Sequence, residues 1–540
     1  MSSKNKVQGF QGGFRQSMAW LHTWAGLVLS IVLYFVFITG TFGYFNSEIS
    51  HWMKPELPTQ TETLSYAEQA NAGFSYLQEV APDATRYFVN FSSDRSSGTI
   101  RAFANLKNPD ASGARSVNTI LDPHAGEAVQ ARESGGGNAL YRMHYALHYI
   151  PYEAAIYIVG VATLFMFLAI ITGIVTHKKI FADFFTLRLG KGQRSWLDGH
   201  NLSSVLALPF MIMITYSGLV FYTFNYSPGV AVLTLGTDRS TLESINEHLY
   251  PRISNVGASG QVAEMHSIEG PINTAREIWP DAELRYVDLH HPGDVSAYVA
   301  IARYPQGIAR RGDILYFNAV TGELTGRSPP QPADGFFSSA TMSLHEGNFA
   351  DYALRWLYFL SGLLGAAMIA TGSLLWAKKR RNLLKGAPAP RSIRFVERAN
   401  LATIVGLPLG CAAYFWANRV LPIQMDDRAA WEMNCLFLMW AASFMHAGAR
   451  ELRRAWREQV LLLAVLFMAL PLLNVLTTDV HLGVTLAHGD WVRAGFDITA
   501  FVFGALVLLV YPSLSAPATT ARSDHQITAL SSMPSTETGG

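Results

Sequence analysis

The chain has 540 residues, half of them hydrophobic and only 15% charged, with a net charge of +1. So neutral a chain offers no electrostatic basis for holding nucleic acid, and a positive mean hydropathy of +0.17 argues against a string of soluble domains. The two cysteines, Cys411 and Cys435, sit in apolar segments and form no covalent-haem, zinc-pair or iron–sulfur spacing.

Apolar residues come in blocks of about 20, the length that crosses a bilayer as helix. The chain reads as a cytoplasmic N-terminus (1–17), a first span (18–45), an outside segment (46–151), a second span (152–176), a cytoplasmic loop (177–199) and a third span (200–224). A second outside segment (225–351), a fourth span (352–377), another loop (378–399), a four-helix region (400–513) and a disordered cytoplasmic tail (514–540) follow. The last region divides into blocks at 400–418, 431–449, 458–477 and 495–513, with Pro408 and Pro471 interrupting two of them. The expected fold class is therefore an α-helical polytopic membrane protein with about eight transmembrane helices and two small α+β domains outside. The first block is read as a retained helix, because its apolar run is long and FGYFNSEISHWMK follows in place of a cleavage site.

Basic residues set the topology. Lys4, Lys6 and Arg15 precede the first span; HKKIFADFFTLRLGKGQR, KKRRNLLKGAPAPRSIR and HAGARELRRAWRE occupy later connections. All four fall on one side if the N-terminus is inside, and the positive-inside rule makes that side cytoplasmic. Eight spans return the C-terminus to the same side, as expected for a bacterial inner-membrane protein.

The two halves resemble each other. EVAPDATRYFVNF (79–91) matches EIWPDAELRYVDL (277–289); each is followed by an alternating strand-like stretch and then by a turn, ILDPHAGEAV or LYFNAVTGELTG. The spans repeat too. His22 precedes Gly40, and His200 precedes Gly218, by eighteen residues each. His148 opens the second span, which ends at Thr172-Gly173, and His345 opens the fourth, which ends at Thr371-Gly372. Duplication of this kind suggests a pseudo-two-fold bundle with its site between the copies.

An ionisable side chain at the mouth of a membrane helix is costly and needs a partner. By depth, His22 matches His200 near the cytoplasmic face, and His148 matches His345 near the outer face. Two histidines at one depth on different helices suit axial ligation of a haem iron from both sides. The rival readings are interfacial or capping histidines, and a zinc, copper or iron site. His144 lies four residues before His148 and could replace it; the recurring Leu-His dipeptide favours His148. His177 reads as an interface residue, and Met211 and Met213 as packing. Arg142 and Arg355 on the outer side, and Arg15 and Arg194 on the inner side, are candidate partners for haem propionates.

LHTWAGL with its trailing Thr-Gly, the Leu-His openings of the second and fourth spans, and HKKIFADFFTLRLGKGQRSWLDGHN resemble the PepSY-associated transmembrane family over residues 15–378. The outside segments are similar to PepSY domains. The resemblance implies an iron-regulated inner-membrane protein, with two non-covalent haem b groups held by His22, His148, His200 and His345. It implies electron transfer to a periplasmic ferric siderophore, which makes the protein a transmembrane ferric reductase. No GxGxxG or flavin motif is present, so the donor is external, cytoplasmic or quinol. Two other functions compete: a transporter of iron or siderophore, and a non-catalytic regulator acting through its PepSY modules. Residues 400–513 carry no assigned site.

Overall fold

In a computed structural model of the protein, residues 13–58, 64–93, 95, 98–109, 113–177, 187–188, 190–222 and 257–515 are described. Lys4, Lys6, His248, much of the basic loop 177–199, the beginning of the second outside segment and the chain beyond 515 lie outside them.

The first apolar block forms two helices, Phe14–Val28 (α1) and Ser30–Phe42 (α2), with a break at Leu29 where the Ser30 hydroxyl donates to the Leu27 carbonyl at 2.9 Å. A short helix, Asn46–Trp52 (α3), continues it. Helix Tyr66–Val80 (α4) starts at a capping box, in which Ser65 and Glu68 satisfy each other's backbone donors. Next come Gly136–Ala146 (α5), Tyr152–Thr176 (α6), Gln193–Phe221 (α7), Glu269–Ile278 (α8), Ala333–Glu346 (α9) and Tyr352–Leu383 (α10).

Among the described residues, six helical stretches are long and apolar enough to cross a membrane: Ser30–Trp52, Tyr152–Thr176, Gln193–Phe221, Tyr352–Leu383, Arg391–Val420 and Trp491–Leu514. A seventh is obtained if Leu452–Met468 and Leu470–Thr477, bent by 46°, count as one span. The protein is thus a multi-pass membrane protein with six to seven such stretches where eight were expected. The block at 431–449 does fold as a helix, Arg428–Ala449, but Arg428, Glu432, Asn434 and His446 dilute its apolar content. Pro471 coincides with the bend, since it is the second residue of the helix that follows the break, Leu470–Thr477.

The strands are Ala84–Asn90 (β1), Ile100–Leu106 (β2), Ser116–Asp122 (β3), Glu127–Ala128 (β4), Leu284–His290 (β5), Tyr298–Arg303 (β6), Ile314–Asn318 (β7) and Leu324–Arg327 (β8). The two strand groups do not form separate domains, as the repeat suggested. They join through β1 and β5 into one antiparallel sheet, ordered β4-β3-β2-β1-β5-β6-β7-β8. An antiparallel seam between equivalent strands of a repeat has two-fold symmetry, and it removes two edges that would otherwise be open.

Phe88 pairs with Asp288, and Asn90 with Tyr286, across the seam. Arg86 adds a bidentate bond to Asp288 at 2.6 and 2.7 Å, and His290 approaches the same carboxylate at 3.2 Å. Burial raises the Asp288 carboxyl, but the hydrogen bonds from His290 and Arg86 outweigh it and hold the group below its ordinary range. Val89, Val287, Ile301 and Phe317 point into a core closed by Leu77 of α4 and Ile272 of α8. Strand alternation therefore turns Phe88 and Tyr286 to the opposite face.

Candidate functional site

Four elements surround the centre of the bundle: α1–α2, α6, α7 and α10. At one end, His22 of α1 and His200 of α7 bring their ring centroids to 6.3 Å. At the other, His144 of α5 and His345 of α9 stand 6.4 Å apart.

Each ring lies against a glycine of a neighbouring helix. A Cβ added at Gly173 of α6 would come within 3.1 Å of His22, and one at Gly372 of α10 within 3.1 Å of His200. At Gly218 of α7 the distance to His345 would be 3.2 Å, and at Gly40 of α2 the distance to His144 would be 3.5 Å. The glycines recognised in the sequence therefore seat histidines. Since His200 and Gly218 share one helix, the two pairs are about 27 Å apart along it.

The backbone completes three of these seats in the same way. Nδ1 of His22 meets the Ala169 carbonyl at 2.8 Å, that of His200 the Met368 carbonyl at 2.9 Å, and that of His345 the Ile214 carbonyl at 3.1 Å. Each carbonyl belongs to the residue four before the seating glycine. The hydroxyl just before each glycine also approaches: Thr172 at 3.5 Å, Thr371 at 3.4 Å and Ser217 at 3.0 Å. Donation from Nδ1 to a carbonyl fixes the tautomer and the ring orientation, leaving Nε2 as the ligating nitrogen. His144 differs, because its Nδ1 turns to the Tyr141 carbonyl of its own helix.

The two centroid separations are those of imidazoles that share one metal. Two metal–imidazole bonds of about 2 Å place the ring centroids about 6 Å apart. Among the described residues, no three His, Cys, Asp or Glu side chains gather as a metal-binding group. Two imidazoles leave a zinc ion short of its usual four ligands. A macrocycle that supplies four nitrogens needs only the two axial ones, so the donor set suits haem.

A cavity of about 360 Å³ contains His144 and His345, with walls that include Leu33, Phe37, Ile156 and Met166. Arg310, from the turn between β6 and β7, reaches its rim and pairs with Glu346 at 2.6 Å. At the other end, a cavity of about 740 Å³ is lined by His177, Arg188, Lys191, Arg194 and Lys378, and adjoins His200 through Asn201. Arg188 is paired there with Asp198 at 2.8 Å.

Two sequence expectations change. His148 does not face His345; it lies over Phe437 at 5.6 Å, and His144 takes the position opposite His345. The helix carrying His144 ends at Ala146, and Leu147 adopts a left-handed conformation (φ 45°), so the four-residue face is broken before His148. His345 also occupies the last turn of its helix, before the left-handed Gly347, which makes His144 its structural counterpart. The Leu-His dipeptide was the misleading signal.

Neither Arg142 nor Arg355 is among the residues lining the His144–His345 cavity. Arg142 is exposed on α5. Arg355 is buried and bonded to Glu48 at 2.5 Å, and Glu48 is also held by Arg95 at 2.9 Å. Among the described residues, Arg310 is the cation that lines that cavity, and nothing in its sequence neighbourhood marks it. Arg194 does line the basic cavity, whereas Arg15 donates to the Thr176 carbonyl. Met211 is buried in the helical core, as expected for packing.

A family model described as the PepSY-associated TM region matches residues 19–379. The chain belongs to this family. No curated relative matches the chain. The PepSY-associated region begins beside His22 and ends just after Gly372, so it contains all four paired histidines and all four seating glycines, and it stops before the C-terminal helices.

The seating geometry gives a direct test. Gly173→Ala and Gly372→Ala are each expected to displace their imidazole, because the new methyl cannot stand 3.1 Å from the ring without movement. Gly40→Ala, at 3.5 Å, should be tolerated. If haem occupies the histidine pairs, its absorbance in the purified variants reads the difference; equal effects at all three positions would refute the seating role.

Proposed function

We propose that the protein is a di-haem b electron carrier of the inner membrane that reduces an acceptor on its sheet side, namely ferric iron in a siderophore. One observation carries this reading: the same seat for an imidazole recurs at both ends of the bundle, in His22, His200 and His345, and each end pairs two imidazoles at 6.3 or 6.4 Å. Lys378 and Lys379 fall in the last turns of α10, and Arg450, Arg453 and Arg454 around the connection that follows Ala449, and by the positive-inside rule these basic ends support a cytoplasmic side opposite the sheet.

When bound, haem supplies reversible one-electron chemistry, and one group at each end gives an electron a path between the faces. The chain's own residues do the rest. His22 and His200 hold the inner position; His144 and His345 hold the outer one. The carbonyls of Ala169, Met368 and Ile214 keep three of the four rings in the ligating tautomer. Apolar side chains form much of the wall of the outer position, and Arg310 offers a guanidinium for a propionate in place of Glu346. Arg194 and Lys378 offer cationic partners at the inner end. An external quinol or soluble reductant supplies the electron.

A visible spectrum of the purified protein tests the reading. A Soret band and α-band that shift on dithionite addition, with about two haems per chain, are expected. A protein without haem absorbance after expression with ample haem supply would overturn it and leave the regulator reading in place.

A further inference from the structure

The cavity of about 740 Å³ at the inner end is separate from the space between the paired rings, because neither His22 nor His200 lines it. It meets that pair through Asn201, the residue after His200. Among the described lining residues, Asp198 is the one carboxylate, and Arg188 already engages it, through Nε and Nη2 at 2.8 Å each and through its backbone N–H at 3.0 Å. Lys191, Arg194 and Lys378 are exposed and form no ion pair with a described carboxylate. Helix α7 begins in the same wall. Gly192 is its N-cap and, having no side chain, leaves the amides of the first turn uncapped. Cations around an uncapped helix N-terminus suit a phosphate.

A second observation lies deeper. Asn201 is only 8% exposed, and its side-chain amide has no hydrogen-bond partner among the described residues. A buried amide without partners is costly unless a ligand supplies them. Asn201 stands eight residues along α7 from Gln193, about 12 Å. The cavity therefore offers anion contacts at its mouth and an amide, donor and acceptor together, at its floor. Apolar contact is scarce, since Leu197 is the one large apolar side chain among the described lining residues. The isoprenoid tail of a quinol finds no bed there.

We propose that this cavity admits the electron donor, and that the donor is a reduced flavin mononucleotide, with its phosphate on Lys191 and the start of α7 and its ring edge against Asn201. The reach of that molecule from ring to phosphate matches the separation of the two contacts. A nicotinamide cofactor also carries phosphate, but it delivers two electrons together as hydride, whereas a flavin releases them singly to a one-electron carrier. A propionate that engages Arg194 or Lys378 leaves Lys191 and the helix amides for the phosphate. The donor role rests on the electron-carrier reading; the binding chemistry does not. In the reaction each dihydroflavin loses two electrons and two N–H protons and leaves as oxidised flavin. The protons pass to water, and the electrons pass one at a time through the bundle to two ferric ions, each reduced to ferrous.

Binding is measured apart from electron transfer. Oxidised flavin mononucleotide is titrated calorimetrically into the full-length protein in detergent. Saturable binding is expected, about tenfold weaker for riboflavin, which lacks the phosphate, and about tenfold weaker for the mononucleotide in Lys191→Glu. Asn201→Leu should weaken both ligands alike. Arg391→Gln, exposed and outside the cavity, should bind as the parent does. Lys191 is exposed, so Lys191→Glu keeps the test open should Asn201→Leu fail to fold. Absence of saturable binding, equal affinity for the two flavins, or parental affinity in Lys191→Glu overturns the proposal. So does anaerobic reduction of the protein by a short-chain quinol but not by dihydroflavin mononucleotide. A haem-free protein that still binds the flavin would sink the electron-carrier reading and leave the binding site standing. A haem-replete protein that does not bind it would sink the donor site alone.

Discussion

If the histidine pairs hold haem as proposed, His345→Ala is expected to remove about half of the low-spin haem signal per chain. His345 faces His144 at 6.4 Å, its ring is seated on Gly218, and its Nδ1 is held by both Ile214 and Ser217. Without that imidazole only His144 would remain to hold a haem at the outer position, and the inner pair is untouched about 27 Å away along α7. His144→Ala should match it. His148→Ala should keep the full signal, because that ring packs on Phe437 instead. Haem quantitation with electron paramagnetic resonance separates the cases. Loss of haem from His148→Ala, with His144→Ala unaffected, would reverse the assignment.

Glu432→Ala is expected to destabilise the protein by about 3–5 kcal/mol, the cost of removing one partner from a buried pair. Arg428 and Glu432 have fully buried side chains 2.5 Å apart. Glu432 does more than balance Arg428. It accepts from the Ser134 hydroxyl at 2.8 Å, from the Gly135 N–H at 3.1 Å and from the Asn418 amide at 2.6 Å. Gly135 is the N-cap of α5, so this carboxylate sits at the positive end of the helix that carries His144.

Nearby bonds extend the attachment. Arg419 donates to the Trp52 carbonyl at 2.6 Å, Trp52 donates to Asp497 at 2.9 Å, and Arg132 joins Glu56 at 2.7 Å to the Asn418 carbonyl at 2.8 Å. The C-terminal helices thereby buttress the outer histidine helix. Glu432→Ala should lower the thermal midpoint in detergent and loosen the outer site before the inner one. A midpoint within a degree of the parent would refute the buttress.

The sequence by itself determined a good deal. Apolar block length marked the spans, since a helix must satisfy its own backbone groups in lipid. Internal repetition marked the duplicated unit, and the eighteen-residue spacing from His22 to Gly40 and from His200 to Gly218 placed histidines and glycines at opposite ends of their helices. Those are local or periodic signals, carried by residues close in the chain.

Tertiary structure decided what depended on contacts between distant segments. The choice of His144 over His148 turned on a helix ending at Ala146, which a dipeptide motif does not reveal. Fusion of two outside modules into one sheet depended on β1 meeting β5, about two hundred residues apart, through backbone bonds that any sequence can make. Arg310 reaches the outer cavity, and Glu432 the start of α5, only because folding brings their loops and helices there. AWLHTWAGL announced a costly histidine; the fold supplied its partner, its glycine seat and the carbonyl that orients it.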